Sequence, residues 1–138
     1  MPVEALLESE YAVLLSHPAV RSVELVRYSA DRLDGYLRAR CMLTNGDYLE
    51  IALHITASGL DAAIDDYRYQ WMDAGQTRLH RRWDNTPHFP ELPSFPNHCH
   101  IGSGGTVEPS SPMNLVQLLD HIVSLITWSQ NAMQTRVE

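Results

Sequence analysis

The sequence contains no lysine, so all ten of its basic residues are arginines, and they face 17 acidic residues for a formal net charge of −7. Such a chain lacks the general positive surface that non-specific nucleic-acid binding requires. It has only two cysteines, Cys41 and Cys99, whose wide separation favours reduced thiols in a cytoplasmic protein. It also lacks a long apolar run, so no membrane-spanning segment is expected.

What is present indicates a globular protein. The chain has 138 residues, of which 44% are hydrophobic, and this predicts one domain over residues 1–138 with a core of its own. Its first residues carry Glu4, Glu8 and Glu10 but no basic residue. We therefore do not expect a signal peptide at the start of the chain.

The hydrophobic pattern predicts an N-terminal helix followed by a series of strands. The helix is expected to end near His17, because Pro18 disfavours helical geometry in the residue before it. Asn45-Gly46 indicates a hairpin with a type I′ turn, whereas residues 57–64 suit a loop or a single helical turn. Alternating segments predict strands over residues 22–28, 36–43, 48–56, 65–72 and 77–84, with 98–102 as a short sixth strand or an irregular segment.

A C-terminal helix is the clearest element of the pattern. Ser111 is expected to cap it, with Pro112 in its first turn and an end near residue 133. The apolar stripe of this helix consists of Leu115, Leu118, Leu119, Ile122, Val123 and Ile126. These elements predict an α+β fold: a single antiparallel sheet of five or six strands flanked by N- and C-terminal helices.

Residues 87–96, the proline segment, repeat a proline at every third position: Pro87, Pro90, Pro93 and Pro96. Polyproline II has three residues per turn, so that conformation would place all four rings on one edge. A flexible linker would not need apolar residues in a second register. We therefore predict a stiff, ordered segment that packs through Phe89, Leu92 and Phe95.

Polar residues at the two ends of the proline segment are the candidates for a functional site. His98 and His100 lie two residues apart, so both side chains point the same way in an extended backbone. Cys99 then points away from them, which argues against a nucleophilic role. We predict that the candidate residues converge in a partly open pocket: Arg82, Asp84, His88, His98 and His100.

Three interpretations of these residues stay open at this point. RNA cleavage through the 2′-hydroxyl needs a base, an acid and a cation, which His98, His100 and Arg82 or Arg81 would supply. Asp84 and the three histidines could instead hold a metal, although their spacing matches no standard zinc signature. The third interpretation is structural, with the polar side chains bonded to the backbone of an irregular loop.

The run YRYQWMDAGQTRLHRRWDNTPHFPELPSFPNHCHIG resembles the signature of the TumE family of prokaryotic toxins. The family pattern continues as R-W-D-N-A-P-H-H-P-E-L-P-T-F-P-H-H-K-H. Phe89 and Asn97 stand where the family has histidines, which weakens the metal interpretation, and Cys99 stands where it has a lysine. The resemblance implies a toxin encoded beside a DNA-binding antitoxin protein.

Together, the resemblance and the grouping of histidines with arginine predict a toxin that acts as a ribonuclease through histidine acid/base chemistry. RNA would be its substrate, with no cofactor expected and a divalent metal as the alternative. The second hypothesis is a non-catalytic binding protein that engages a DNA-binding partner. The acidic charge favours that hypothesis, because it would attract a basic partner. A homodimer formed through the C-terminal helix is compatible with either hypothesis.

Overall fold

This computed structural model describes residues 1–137 of the chain, with side chains as far as residue 133. Within residues 1–137, seven strands form one antiparallel sheet whose spatial order is the order of the chain. A helix lies at each end, so the predicted α+β class is confirmed. The elements are α1 (Val3–Ser16), β1 (Val20–Ala30), β2 (Asp34–Leu43), β3 (Tyr48–Ser58), β4 (Asp61–Met72), β5 (Leu79–Asp84), β6 (His98–Ile101), β7 (Thr106–Pro109) and α2 (Leu115–Val137).

The predicted count of five or six strands is wrong, because β7 is a seventh strand. It pairs antiparallel with β6 after a turn in which Gly102 and Gly105 adopt φ angles of 63° and 81°. β7 is short and ends in Pro109, a residue that sheets tolerate at an edge, and its composition gives little strand signal. The glycine-rich segment before it is a hairpin turn.

Two other turns differ from the prediction. Residues 57–64 are the paired ends of β3 and β4, closed by a tight turn at Gly59 with a φ of 65°. The hairpin at Asn45-Gly46 is confirmed, but Gly46 alone has a positive φ there, of 92°. Type I′ needs a positive φ at both central residues, so the turn is of a different type.

Both helices lie on one face of the sheet. Val3 of α1 packs against Gly35 of β2, where an added Cβ would come within 3.0 Å of the Val3 side chain. α2 reaches the same face farther along, where the ring of His121 meets Trp83 edge-on at 5.8 Å. The core between helices and sheet includes Leu7, Leu14, Leu37, Ile51, Tyr69, Trp83, Leu115, Leu118 and Ile122.

The C-terminal helix begins later than predicted. Its first turn is held by Asn114 and not by Ser111 and Pro112. The N–H of Gln117 donates to Oδ1 of Asn114, and the N–H of Asn114 donates to Oε1 of Gln117, both at 2.9 Å. This reciprocal pair is a capping box, which satisfies two backbone donors at the helix start.

The proline segment is not a polyproline II helix but a succession of turns. Backbone hydrogen bonds join Leu92 to Phe89 and Phe95 to Leu92, each at 3.1 Å, and polyproline II leaves such groups unpaired. Phe89 has a left-handed φ of 59°. Phe95 is 43% exposed, so the prediction that it anchors the segment is wrong.

The face of the sheet opposite the helices is called the open face here, and it carries Arg38, Arg68, Arg82, Asp84, His98 and His100. The proline segment covers part of it, because the Phe89 ring contacts the rings of both histidines. Among residues 1–137, no helix combines the length and the hydropathy needed to cross a membrane.

Candidate functional site

Cross-strand pairing brings four of the predicted residues together on the open face. In the β5–β6 ladder, Asp84 lies opposite His98 and Arg82 lies opposite His100. Neighbouring strands are about 4.8 Å apart, so side chains of directly opposed residues touch. Trp83 and Cys99, which alternate with them, face the buried core.

The carboxylate of Asp84 is the centre of the cluster. Its Oδ1 lies 2.9 Å from His98 Nε2, and its Oδ2 lies 3.6 Å from His100 Nε2. Arg82 donates from Nε to Oδ2 at 3.3 Å. The backbone N–H of Thr86 donates to Oδ1 at 3.1 Å. A carboxylate that is only 4% exposed requires such partners to offset its desolvation.

His98 is fully buried and its orientation is set by a backbone carbonyl. Its Nδ1 lies 2.9 Å from the carbonyl oxygen of Pro96. A carbonyl can only accept, so a proton must stand on Nδ1. The other nitrogen, Nε2, lies 2.9 Å from Oδ1 of Asp84 and 3.1 Å from His100 Nε2. The ring of His98 is therefore held between the Pro96 carbonyl on one side and the Asp84 carboxylate and His100 on the other.

His100 is the member of the cluster that reaches solvent. Its side chain is 19% exposed, against 1% for His98. Burial, and next the positive charge of Arg82, lower the pKa of His100 below its ordinary value. The imidazole is therefore neutral at neutral pH and able to accept a proton.

His88 does not join this cluster, contrary to the predicted convergence. It is exposed on the proline segment, and its ring contacts that of Phe89 at 6.2 Å. Phe89 in turn meets His98 and His100 edge-on at 5.2 and 5.9 Å. The predicted set thus divides into a compact group and a histidine outside it, with a phenylalanine in contact with both. We call Asp84, His98 and His100 the Asp–His cluster.

A known protein-family model matches most of the chain. The family model described as Toxin TumE matches residues 10–130. The chain belongs to the TumE toxin family. The match runs from within α1 to within α2 and includes all five predicted site residues. No curated protein and no solved structure matches the chain significantly. Membership of a toxin family implies an antitoxin partner.

In this TumE-family protein the Asp–His cluster has the donor set of a metal site. One donor atom from each of Asp84, His98 and His100 lies within 4.8 Å of the other two. Two imidazoles and a carboxylate suit divalent transition metals. The bond from His98 Nδ1 to a carbonyl is also the support that metal-binding histidines commonly have. The three residues could therefore hold a divalent ion, without His88 as the predicted fourth ligand.

Two residues that border the cluster were not among the predicted site residues. Arg68 of β4 lies directly opposite Asp84 on the open face of this TumE-family sheet. Asn85 fixes the chain just after Asp84, since its Oδ1 accepts from the Tyr67 N–H at 3.1 Å and its Nδ2 donates to the Asp65 carbonyl at 2.9 Å. The alternation of Tyr67, Tyr69 and Trp71 in the sequence could have indicated the place of Arg68, because a residue between two buried aromatic residues of a strand lies on the opposite face, away from the core.

Proposed function

We propose that this TumE-family toxin cleaves RNA by histidine acid/base chemistry at the Asp–His cluster. The observation that carries the proposal is the geometry of His100: its imidazole is 19% exposed, and its Nε2 lies 3.1 Å from the buried His98 and 3.6 Å from the buried carboxylate of Asp84. Its lowered pKa is consistent with a base that is neutral at neutral pH. A base that reaches solvent and operates near neutrality is what abstraction of a 2′-hydroxyl proton requires. Arg82, beside the same carboxylate, supplies positive charge next to that base.

The contacts within the cluster assign a role to each of its residues. His98 Nε2 lies 2.9 Å from Asp84 Oδ1 and 3.1 Å from His100 Nε2, so His98 and Asp84 hold the His100 ring in place. When His100 takes up a proton, the positive charge on the ring is balanced by the carboxylate of Asp84, 3.6 Å from Nε2. His98 and Asp84 are therefore positioning residues, and His100 contacts the substrate.

The reaction conserves atoms and charge as follows. His100 removes the proton of the 2′-hydroxyl, and the 2′-oxygen attacks the adjacent phosphorus. The bond from phosphorus to the 5′-oxygen breaks, and that oxygen takes a proton from a water molecule, whose hydroxide is neutralised by the proton that His100 removed. The products are a 2′,3′-cyclic phosphate and a free 5′-hydroxyl. Arg82 balances the negative charge that develops on the non-bridging oxygens.

The test is cleavage of a single-stranded RNA by the purified full chain, with the product termini identified. We expect a cyclic phosphate and a 5′-hydroxyl, and no cleavage of the same strand made with 2′-deoxynucleotides. His100→Gln should reduce the rate by about 10²- to 10⁴-fold. His17→Ala is the matched histidine control, because His17 bonds to Asp120 of α2 on the helical side. Undiminished cleavage by folded His100→Gln would refute the proposal.

A second candidate function is non-catalytic binding, in which the toxin engages a DNA-binding antitoxin or forms a homodimer through α2. The formal net charge of −7 would attract a basic partner, and Trp128 of α2 is 71% exposed. Under this alternative, expression of the His98→Ala, His100→Ala double variant would still arrest growth, and cellular RNA would stay intact. Under the ribonuclease proposal the double variant is harmless.

A further inference from the structure

One row of cross-strand neighbours on the open face is rich in arginine and leads to the Asp–His cluster. Arg27 pairs with Arg38, Arg38 with Ala52, and Ala52 with Arg68. Arg68 pairs with Asp84, and Asp84 with His98. Since adjacent strands are about 4.8 Å apart, the row forms one continuous path across the sheet. The small Ala52 leaves space between Arg38 and Arg68.

Most of this path is a groove, because its first four residues, Arg27, Arg38, Ala52 and Arg68, line a cavity of about 600 Å³. Arg27, Arg38 and Arg68 contribute to its walls, and Asp66 is an acidic residue of the lining. Thr86 lines the end nearest the cluster, and its backbone N–H is bonded to Asp84. The groove is therefore continuous with the candidate site.

The charge of the groove is opposite to that of the chain as a whole. The groove lining carries three arginines, Arg27, Arg38 and Arg68, and one acidic residue, Asp66, in a chain whose net charge is −7. Arg38 is also ion-paired with Glu50 at 2.8 Å, so a phosphate would compete with Glu50 for this guanidinium. Arginine is the side chain best shaped to bind phosphate through two parallel hydrogen bonds. A local concentration of this residue in a groove suits a polyanion.

The groove also offers flat surfaces for stacking. The guanidinium of Arg27 lies 3.8 Å from the centre of the Tyr36 ring, and Tyr36 lies 4.5 Å from the ring of His54. His54 is held from both sides by Asp65 and Asp34, at 2.6 and 2.7 Å. Unpaired bases stack on aromatic rings and on guanidinium planes, whereas a duplex hides the faces of its bases.

We propose that this groove binds single-stranded RNA and directs it to His100. Phosphates contact Arg38 and Arg68, and a base stacks on the Arg27–Tyr36 pair. The inference deepens the proposed function, on which the choice of RNA as occupant rests. It assigns the substrate as an unpaired strand and separates the residues that bind it from those that would cleave it.

The test measures binding apart from cleavage, in the full chain carrying His100→Gln. The probe is a fluorescein-labelled single-stranded RNA of about 12 nucleotides, followed by fluorescence anisotropy, with a duplex of the same sequence for comparison. We expect tighter binding of the single strand. Arg38→Gln and Arg68→Gln should each weaken it roughly five- to tenfold and reduce the salt slope by about 0.7.

Arg78→Gln is the matched control, since it removes the same charge from a position outside the groove lining. Arg78 lies in the β4–β5 turn, where its carbonyl accepts a hydrogen bond from the N–H of Asp73. The inference fails if Arg38→Gln and Arg68→Gln bind like Arg78→Gln, or if the duplex binds as tightly as the single strand. Arginine-dependent binding without cleavage by the wild type would support the groove and refute the ribonuclease. Cleavage by the wild type, together with binding that does not depend on Arg38 or Arg68, would support the ribonuclease and refute the groove.

Discussion

The carboxylate of Glu10 in α1 accepts a hydrogen bond of 3.0 Å from the backbone N–H of Leu115, the first residue of α2. The first N–H groups of a helix have no partner inside the helix, so α1 satisfies one of them for α2. The contact is buried, with Glu10 only 6% exposed. Burial raises the pKa of Glu10 and the bond from Leu115 lowers it, with a net rise above the ordinary value.

This pKa predicts that Glu10→Gln stabilises the protein at neutral pH. A carboxyl whose pKa is higher in the folded state binds its proton more tightly there, so its contribution to stability falls as pH rises through that pKa. Glutamine keeps an acceptor for Leu115 and cannot ionise. In denaturant unfolding, Glu10→Gln should have a higher free energy of unfolding than the wild type at pH 7, and the difference should vanish near pH 4. Glu10→Ala, which leaves the N–H unpaired, should lose about 1 to 3 kcal/mol.

The pH profile of RNA cleavage should follow His100. Its pKa is lowered by burial and by Arg82, so the rate should fall only when the pH drops below the ordinary histidine range. Arg82→Gln removes one cause of the lowering, so the acidic limb should move to higher pH. NMR titration of the His100 ring gives the same shift without relying on activity. A limb that moves to lower pH would contradict the assignment of His100 as base.

A divalent metal and the proposed reaction should compete for the Asp–His cluster. Zn²⁺ bound between His98, His100 and Asp84 would occupy the nitrogen through which His100 contacts His98, and it would hold a positive charge beside the base. We expect cleavage to survive a chelator and to be inhibited by added Zn²⁺. Loss of activity on chelation, with recovery on adding Zn²⁺, would instead establish metal-assisted chemistry at the same three residues.

The two phenylalanines of the proline segment should differ in their contribution to stability. Phe95 is 43% exposed, so Phe95→Ala should cost about 1 kcal/mol or less, well below the 3 to 5 kcal/mol typical of a core phenylalanine. Phe89 has a φ of 59°, a conformation that only glycine adopts without strain. Phe89→Gly should therefore unfold at higher denaturant than Phe89→Ala. The reverse order would argue against the left-handed backbone.

The sequence was sufficient for the elements in which one strong pattern decides the structure. Alternation gave β1 to β5, and the apolar stripe gave α2. It was not sufficient for β7, an edge strand that buries too little to leave a pattern. For the proline segment the sequence led to a wrong prediction, because a period of three suits polyproline II as well as it suits the turns that the segment forms. The bonds of Asn97 to Tyr67 and of Ser94 to Ser110, which depend on tertiary contacts, hold the turns instead.

The same limit applies to the candidate site. Two residues in one short strand, His98 and His100, had to share a face, so their proximity was predictable. The place of Arg68 opposite Asp84 depends on strand register, and a slip of one residue would turn every side chain of the strand to the other face. His88 lies on a segment of turns, where no periodicity indicates the direction of a side chain.

The order of the sheet also determines when the Asp–His cluster can exist during synthesis. Strands leave the ribosome in the same order in which they lie side by side in the sheet, because proteins are made from the N-terminus. A nascent chain that stops after β5 has Arg82, Asp84 and the arginine row, but neither His98 nor His100. A truncated product of interrupted translation therefore lacks the cluster, and the ribosome that makes the toxin is not exposed to a complete site until translation has passed β6.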